Sequence, residues 1–424
     1  MASWLKRPDV IKAHHRATRP LDAISDSAKH ARDSGVCQRL KSRPSNAIYD
    51  KLRHDKSSPY GLLEITLAKF LPDSVNRTLP KEASTPAWQL PAGYHLVFFP
   101  PPTANLLADG TDDMHFPGKP WVRRMWAGGS IEFRTDERRK YLTSKHHQHD
   151  ALRCREQIKD AVVKGSVGNE KVWVDIMRAI GPTRVYQKHA LSAAEAVDQA
   201  AIIESRNLVF MPAKTPGQAI DDVSKPTRII KPTIKPDFSV SMVPDANLLF
   251  RFSALTFNAH RIHLDREYAR TVEGFRNIVV HGPLSILLML KVLSSQMGSS
   301  ETGIPQMVKS ITYKNLTPLF TDEKMTICVR RQPQADATST EADTETQIKA
   351  GRILAQADSI LAEADSILDA DSTPAEAGSG VTKWDVWIEN EEGGYAVKGT
   401  AETVDTGYVS PPSLTKLVRF VKGE

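Results

Sequence analysis

The chain has 424 residues, enough for two to three domains that each bury a core of their own. A hydrophobic share of 40% and a charged share of 25% exclude a wholly disordered chain. The most apolar run, Leu284 to Leu290, is too short to span a bilayer, so no membrane insertion is expected. The net charge of +6 is uneven: residues 331–380 hold ten Asp or Glu against three Lys or Arg, which leaves the remainder at +13. A basic body suits anionic partners. The absence of a zinc finger, or of a strand with interleaved aromatic and basic residues, argues against nucleic acid. Cys37, Cys154 and Cys328 lie far apart with no CxxC spacing, which encodes neither a disulfide framework nor a metal site.

Residues 1–59 read as a basic arm, with Lys6, Arg7, Lys12, Arg16 and Arg19 near its start. It has the charge of an organellar transit segment, interrupted by Asp9, Asp22, Asp26 and Asp33. From Tyr60, the residues Leu62, Leu63, Ile65, Leu67, Phe70 and Leu71 recur at helical spacing until Pro72 stops them. Trp88 to Pro102 reads as a strand and Ala108 to Pro120 as a loop. Arg123 to Phe133, Lys171 to Ala179 and Ala201 to Met211 read as strands. Prolines at 216, 226, 232 and 236 make residues 213–236 a linker between a first domain, 60–212, and a second, 237–424.

In the second domain, Phe238 to Met242, Leu248 to Ser253, Ser310 to Leu316 and Lys324 to Arg330 read as strands. Residues 331–380 are low in complexity and acidic, and read as an insertion in a hairpin loop. Beyond them Lys383 to Ile388 and Tyr395 to Ala401 pair about the turn Asn390 to Gly394. Between the strands, Asn258 and His263 occupy a polar turn. Asp265 caps a short helix over Arg266 to Thr271, and His281-Gly282-Pro283 opens the apolar helix. Strands on both sides of one buried helix describe an α+β fold, an antiparallel sheet wrapped round a central helix, as in a hot-dog.

The words LFRFSALTFN, HRIHLD and VHGP, with Pro120 to Gly129 and Arg206 to Phe210 in the first half, resemble the MaoC-like hydratase/dehydratases. Within them the chain looks most like the two-domain group of hydroxyacyl-thioester dehydratase type 2 and mesaconyl-C4-CoA hydratase. The resemblance implies a double hot-dog whose first half is degenerate and shelters the acyl chain. It implies a hydro-lyase interconverting (3R)-hydroxyacyl and trans-2-enoyl thioesters, or a CoA-thioester hydratase of the mesaconyl-CoA type. It also implies a mitochondrial matrix setting, with the cytoplasm as alternative, and no cofactor beyond the phosphopantetheine of acyl carrier protein or CoA that carries the substrate.

The wider family's Asp stands here as Asn258, five residues before His263. Asn cannot take a proton, so His263 is the expected proton shuttle and Asn258 the group that orients water. The amides of Gly282 and Leu284, at the positive end of the helix, are the expected oxyanion donors. His260 and His281 are expected to be structural, as are Arg123, Arg124 and Trp126. Arg251, Arg261, Arg266, Arg270 and Arg276 are expected to face an acidic carrier or CoA phosphates. A hot-dog thioesterase would need a carboxylate near the central helix, and Leu284 to Leu293 has none. The rival of another class is a non-catalytic thioester-binding protein.

Overall fold

The computed structural model describes residues 26–52, 57–76, 89–142, 152–183, 193–226, 229–297, 306–333 and 380–405. Residues 1–25 and 334–379, which hold the start of the expected arm and most of the acidic insertion, lie outside the described residues. No helix among the described residues is long and apolar enough to cross a membrane.

The strands are β1 (Asn46–Asp50), β2 (Arg123–Phe133), β3 (Leu152–Lys164), β4 (Lys171–Pro182), β5 (Ile202–Met211), β6 (Phe238–Met242), β7 (Gln306–Asn315), β8 (Met325–Arg331), β9 (Val381–Glu389) and β10 (Tyr395–Asp405). They form one sheet in the order β1-β3-β4-β5-β2-β7-β10-β9-β8-β6, with every pairing antiparallel. The first five in sequence make one half and the last five the other. The halves join where β2 pairs β7, from Gly128 opposite Lys314 to Glu132 opposite Ser310. Only glycine fits the seam: a Cβ on Gly128 would lie 2.4 Å from the Tyr313 carbonyl oxygen, and one on Gly129 2.1 Å from that of Ser205.

The helices are α1 (Asp26–Lys41), α2 (Pro59–Leu67), α3 (Ala193–Gln199), α4 (Pro216–Ser224), α5 (Ala246–Thr256), α6 (Arg266–Thr271) and α7 (Gly282–Gln296). The ten residues of α7 from Leu284 to Leu293 are all buried, and the sheet of the second half wraps round them. In the first half the shorter α2 and a 3-10 turn, Tyr94–Val97, take the place of such a helix. Their Tyr60, Leu63 and Leu67 share one core with Ile131, Ile180 and Ile202 of the sheet and Leu287 of α7. The architecture is a double hot-dog with unequal helices. At its centre Lys291 of α7 donates to Glu64 Oε1 and to the Tyr94 hydroxyl, both at 2.8 Å, in a wholly buried triad that ties the halves together.

Several elements differ from the sequence expectations. Leu248 to Ser253 is not a strand but part of α5, because Asp245 caps it by accepting from the Leu248 amide at 2.8 Å, and Leu248, Leu249 and Phe252 fall on one buried helical face. Of the expected strand Trp88 to Pro102, the described residues 89–102 form no strand, since Gly93 turns left-handed at φ 88° and the chain winds into the buried 3-10 turn; Trp88 lies outside the described residues. The arm is shorter than expected: α1 seats Val36 and Leu40 against the apolar face of β3 to β5, and β1 is an edge strand. The expected linker contains α4, whose capping box unites Thr215 and Gln218. Gly274, at φ 71°, fits beside it, where a Cβ would meet the Ala219 carbonyl oxygen at 2.8 Å.

Candidate active site

The turn after α5 and the start of α7 converge on a cavity of about 400 Å³ between the halves. Asn258, His263 and Gly282 line it together. Leu284 does not, because its side chain points into the core, and only its amide belongs to the open end of the helix. A second cavity of about 480 Å³ adjoins, sharing Asn258, Pro283, Trp126 and Arg124 with the first. It is walled by Leu96, Phe98, Phe99 and Leu106, and exposed Phe250 and Phe257 stand at its rim.

His263 sits in a 3-10 turn, Arg261–His263, with its ring buried. Its Nδ1 lies 2.7 Å from the Val279 carbonyl oxygen, an acceptor only, so Nδ1 carries the proton and donates. Nε2 is left as the lone-pair nitrogen. Burial pushes the imidazole down to about 4, against the Val279 hydrogen bond and aided by Arg124, so it is neutral and basic in form at neutral pH. The ring stacks on His281, with centroids 3.7 Å apart and an angle of 21°, and meets His260 edge-on at 5.4 Å. His281 is fixed by a 2.9 Å hydrogen bond between its Nε2 and Ser253 Oγ. His260 and His281 are also held neutral, first by burial. Among the described residues the histidines do not form a metal-binding group.

The Asn258 side chain is oriented by the chain itself. Its Oδ1 accepts from the His260 amide at 3.0 Å, so its Nδ2 is the group free to donate. At the helix start, Pro283 has no N–H, and the Ser285 amide is spent on the His281 carbonyl at 3.0 Å. The amides of Gly282 and Leu284 are then the unspent donors at the positive helix end. Gly282 also relieves crowding, because a Cβ there would lie 3.2 Å from Trp126 Cβ and Asn315 Nδ2, closer than an ordinary contact.

The opposite wall comes from the first half and was not anticipated. Glu156, Arg178 and Glu204 are direct cross-strand neighbours on β3, β4 and β5. Arg178 Nε lies 3.0 Å from Glu156 Oε2 and its Nη1 3.2 Å from Glu204 Oε2. Arg206 grips Glu204 with Nε at 2.6 Å and Nη2 at 2.9 Å, and its guanidinium lies 5.0 Å over the Trp126 ring. His115 Nε2 closes the row 3.2 Å from Glu156 Oε1. A period-two signal for this wall exists in the chain: Arg178 falls in phase with Val174, Ile176 and Ile180, all buried. Arg124 and Trp126 line the cavity, whereas Arg123 bonds Glu273 at 2.7 Å.

A neutral histidine, a donor-presenting Asn and a bare helix start around one hot-dog cavity are the kinds of group that adding water to an acyl thioester, or removing it, requires. The family and sequence comparisons show a protein of this class, a hydro-lyase. The hydroxyacyl-thioester dehydratase type 2 family matches residues 93–321, and the chain belongs to that family. Mesaconyl-C(4)-CoA hydratase of Chloroflexus aurantiacus is 30% identical over 264 residues, covering 61% of this chain and 80% of that protein. Mitochondrial hydroxyacyl-thioester dehydratase type 2 of Schizosaccharomyces pombe is 28% identical, covering 70% and 95%. A MaoC-like dehydratase structure from Phytophthora capsici aligns with a TM-score of 0.46 at 13% identity, covering 87% of this chain and 97% of that one.

Proposed function

We propose that the protein interconverts (3R)-hydroxyacyl and trans-2-enoyl thioesters through His263, assisted by Asn258 and the amides of Gly282 and Leu284. The observation that carries this reading is the His263 tautomer, with Nδ1–H spent on Val279 and a bare Nε2 on the cavity. In hydration, Nε2 takes a proton from water as the water oxygen bonds to C3. The C2=C3 electron pair moves onto the thioester oxygen as an enolate, which the two amides hold. His263 then returns the proton to C2 and the thioester carbonyl re-forms. Asn258 Nδ2 donates to the water or hydroxyl oxygen. Dehydration runs the same steps backwards. One such oxyanion donor is worth about 2.7–4 kcal/mol of barrier.

This chemistry uses side chains and backbone amides, with the substrate's own phosphopantetheine arm as carrier and no further cofactor. The apolar cavity beside the site suits an acyl chain or that arm. The relatives from Schizosaccharomyces pombe and Saccharomyces cerevisiae are named mitochondrial, which supports a mitochondrial setting; we place the protein in the matrix, in fatty-acid synthesis, with acyl carrier protein as its partner. A second reading, a CoA thioester with a carboxylate on its acyl group, is favoured by the 30% identity to mesaconyl-C(4)-CoA hydratase; Arg124, Arg178 and Arg206 line the cavity but are matched to Asp112, Glu156 and Glu204. The test is hydration of crotonyl-CoA, crotonyl-acyl carrier protein and mesaconyl-C4-CoA, followed by loss of the enoyl absorbance. Loss with any substrate at a rate that His263→Ala abolishes supports the reading, and equal rates in the two proteins overturn it.

A further inference from the structure

Asp109 belongs to the first half, yet it touches the turn that carries Asn258 and His263. Its backbone carbonyl accepts from the Arg261 amide at 2.8 Å. The neighbouring Gly110 approaches so closely that a Cβ there would lie 2.1 Å from the Ala259 carbonyl oxygen, and its φ of 83° also excludes other residues. The carboxylate is buried with this loop. Its Oδ1 accepts from the amide and the hydroxyl of Thr111, at 2.9 and 2.7 Å. Its Oδ2 has no hydrogen-bond partner, and it lies 3.5 Å from His260 Nε2.

A buried carboxylate oxygen with no hydrogen-bond partner of its own draws the imidazole proton to the nitrogen it faces. Nε2 of His260 then carries the hydrogen and Nδ1 the lone pair. His260 lines the cavity together with His263 and Asn258, and neither of its ring nitrogens is sealed from that space. The need for an acceptor there is specific. A water attacking C3 has two hydrogens, of which His263 takes one, and the Asn258 oxygen is already engaged by the His260 amide.

We propose that His260 accepts the second hydrogen of the reacting water, in a tautomer set by Asp109 across the two halves, a role that rests on the hydration mechanism above. His260 is thus a catalytic residue that touches the water without taking its proton, and Asp109 is a positioning residue acting through it. Together they supply the acceptor that a carboxylate at position 258 would otherwise provide.

The experiment combines kinetics on crotonyl-CoA with nitrogen-15 spectra of histidine-labelled full-length protein. Wild-type His260 is expected to show a protonated Nε2 and a bare Nδ1, and Asp109→Asn to shift that pattern. His260→Leu is expected to lower kcat roughly 10- to 100-fold with KM changed less than about 2-fold, and His260→Gln, which keeps an acceptor, to recover part of the loss. A kcat unchanged in His260→Leu overturns the inference while the hydratase function stands. So does a wild-type His260 with its proton on Nδ1, a reading that needs no variant to fold. A wild type inactive on every enoyl thioester overturns the function and this inference together.

Discussion

The cavity has two polar walls built on opposite principles. On the second-half wall three histidines are stripped of charge by burial, and two of them keep a ring nitrogen that no protein group seals. On the first-half wall the charges stay. Burial alone would raise the Glu156 carboxyl, but His115, Arg178 and Arg206 hold it down at about 2. Glu204 is likewise held below its usual range against burial, by Arg206 and Arg178. A neutral group with a spare lone pair can exchange protons, whereas a saturated ion row keeps its shape. In the proposed mechanism the difference gives chemistry to one wall and geometry to the other.

Two substitutions test this division of labour. His263→Ala is expected to lower kcat about 1000-fold, with an unchanged circular dichroism spectrum and melting temperature lowered little. Arg178→Met leaves Glu156 and Glu204 buried beside a neutral side chain, and should cost about 3–5 kcal/mol of stability in chemical denaturation. Its folded fraction is expected to keep most of its kcat. If Arg178→Met lost turnover as fully as His263→Ala, the charged wall would belong to the chemistry and the comparison would fail. Asn258→Ala should fall between, at about 30-fold in kcat, the scale of one hydrogen bond to a reacting oxygen.

The unequal legibility of the two walls has a physical origin. Asn258, His263 and Gly282 could be found in sequence because a turn and a helix start place them within one short stretch, and the α7 run is apolar enough to mark the core. Glu156, Arg178 and Glu204 come from three strands, and only the register of the sheet makes them neighbours. The strand β3 that carries Glu156 was itself missed, since Arg153, Arg155, Gln157, Lys159 and Asp160 give it the look of a polar loop. α5 was misread because a short apolar run has no period of its own, and the cap at Asp245 settles it as helix. His260 was set aside as structural because its partner, Asp109, lies on the other half.

The walls should also part under acid. His263 is at about 4 in the folded protein against 6.5 in the unfolded chain, so unfolding gains protons as pH falls. The stability it contributes is whole above pH 6.5 and drains away between 6.5 and about 4. Glu156, lowered from 4.5 to about 2, holds its contribution until pH drops below 4.5. Urea midpoints across this range should therefore show a first loss, shared with the other buried histidines His95, His260 and His281, that His263→Gln makes smaller, and a later one that it leaves in place. Turnover should decline towards pH 4 as Nε2 is occupied, and a kcat/KM profile flat down to pH 4 would deny His263 the role of base.

The smallest effect concerns the surface outside the cavity. Five arginines near the turn were expected to meet an acidic carrier, but Arg261, Arg266 and Arg276 are matched to Asp265, Asp322 and Glu323. Arg251 and Arg270 are exposed and have no ion-pair partner among the described residues, and Arg251 follows Phe250 at the rim of the apolar cavity. The proposed attraction for a carrier then rests on these two. Arg251→Ser with Arg270→Ser should raise KM for carrier-bound substrate about 3-fold at low salt and leave kcat unchanged, because exposed charges steer encounter and are screened within a Debye length. The difference should vanish in strong salt. With crotonyl-CoA the same pair should matter less, since a small carrier presents fewer charges to that rim. An equal rise in KM for both substrates would instead place the two arginines at the phosphates of the arm, beside the cavity rather than at a protein surface.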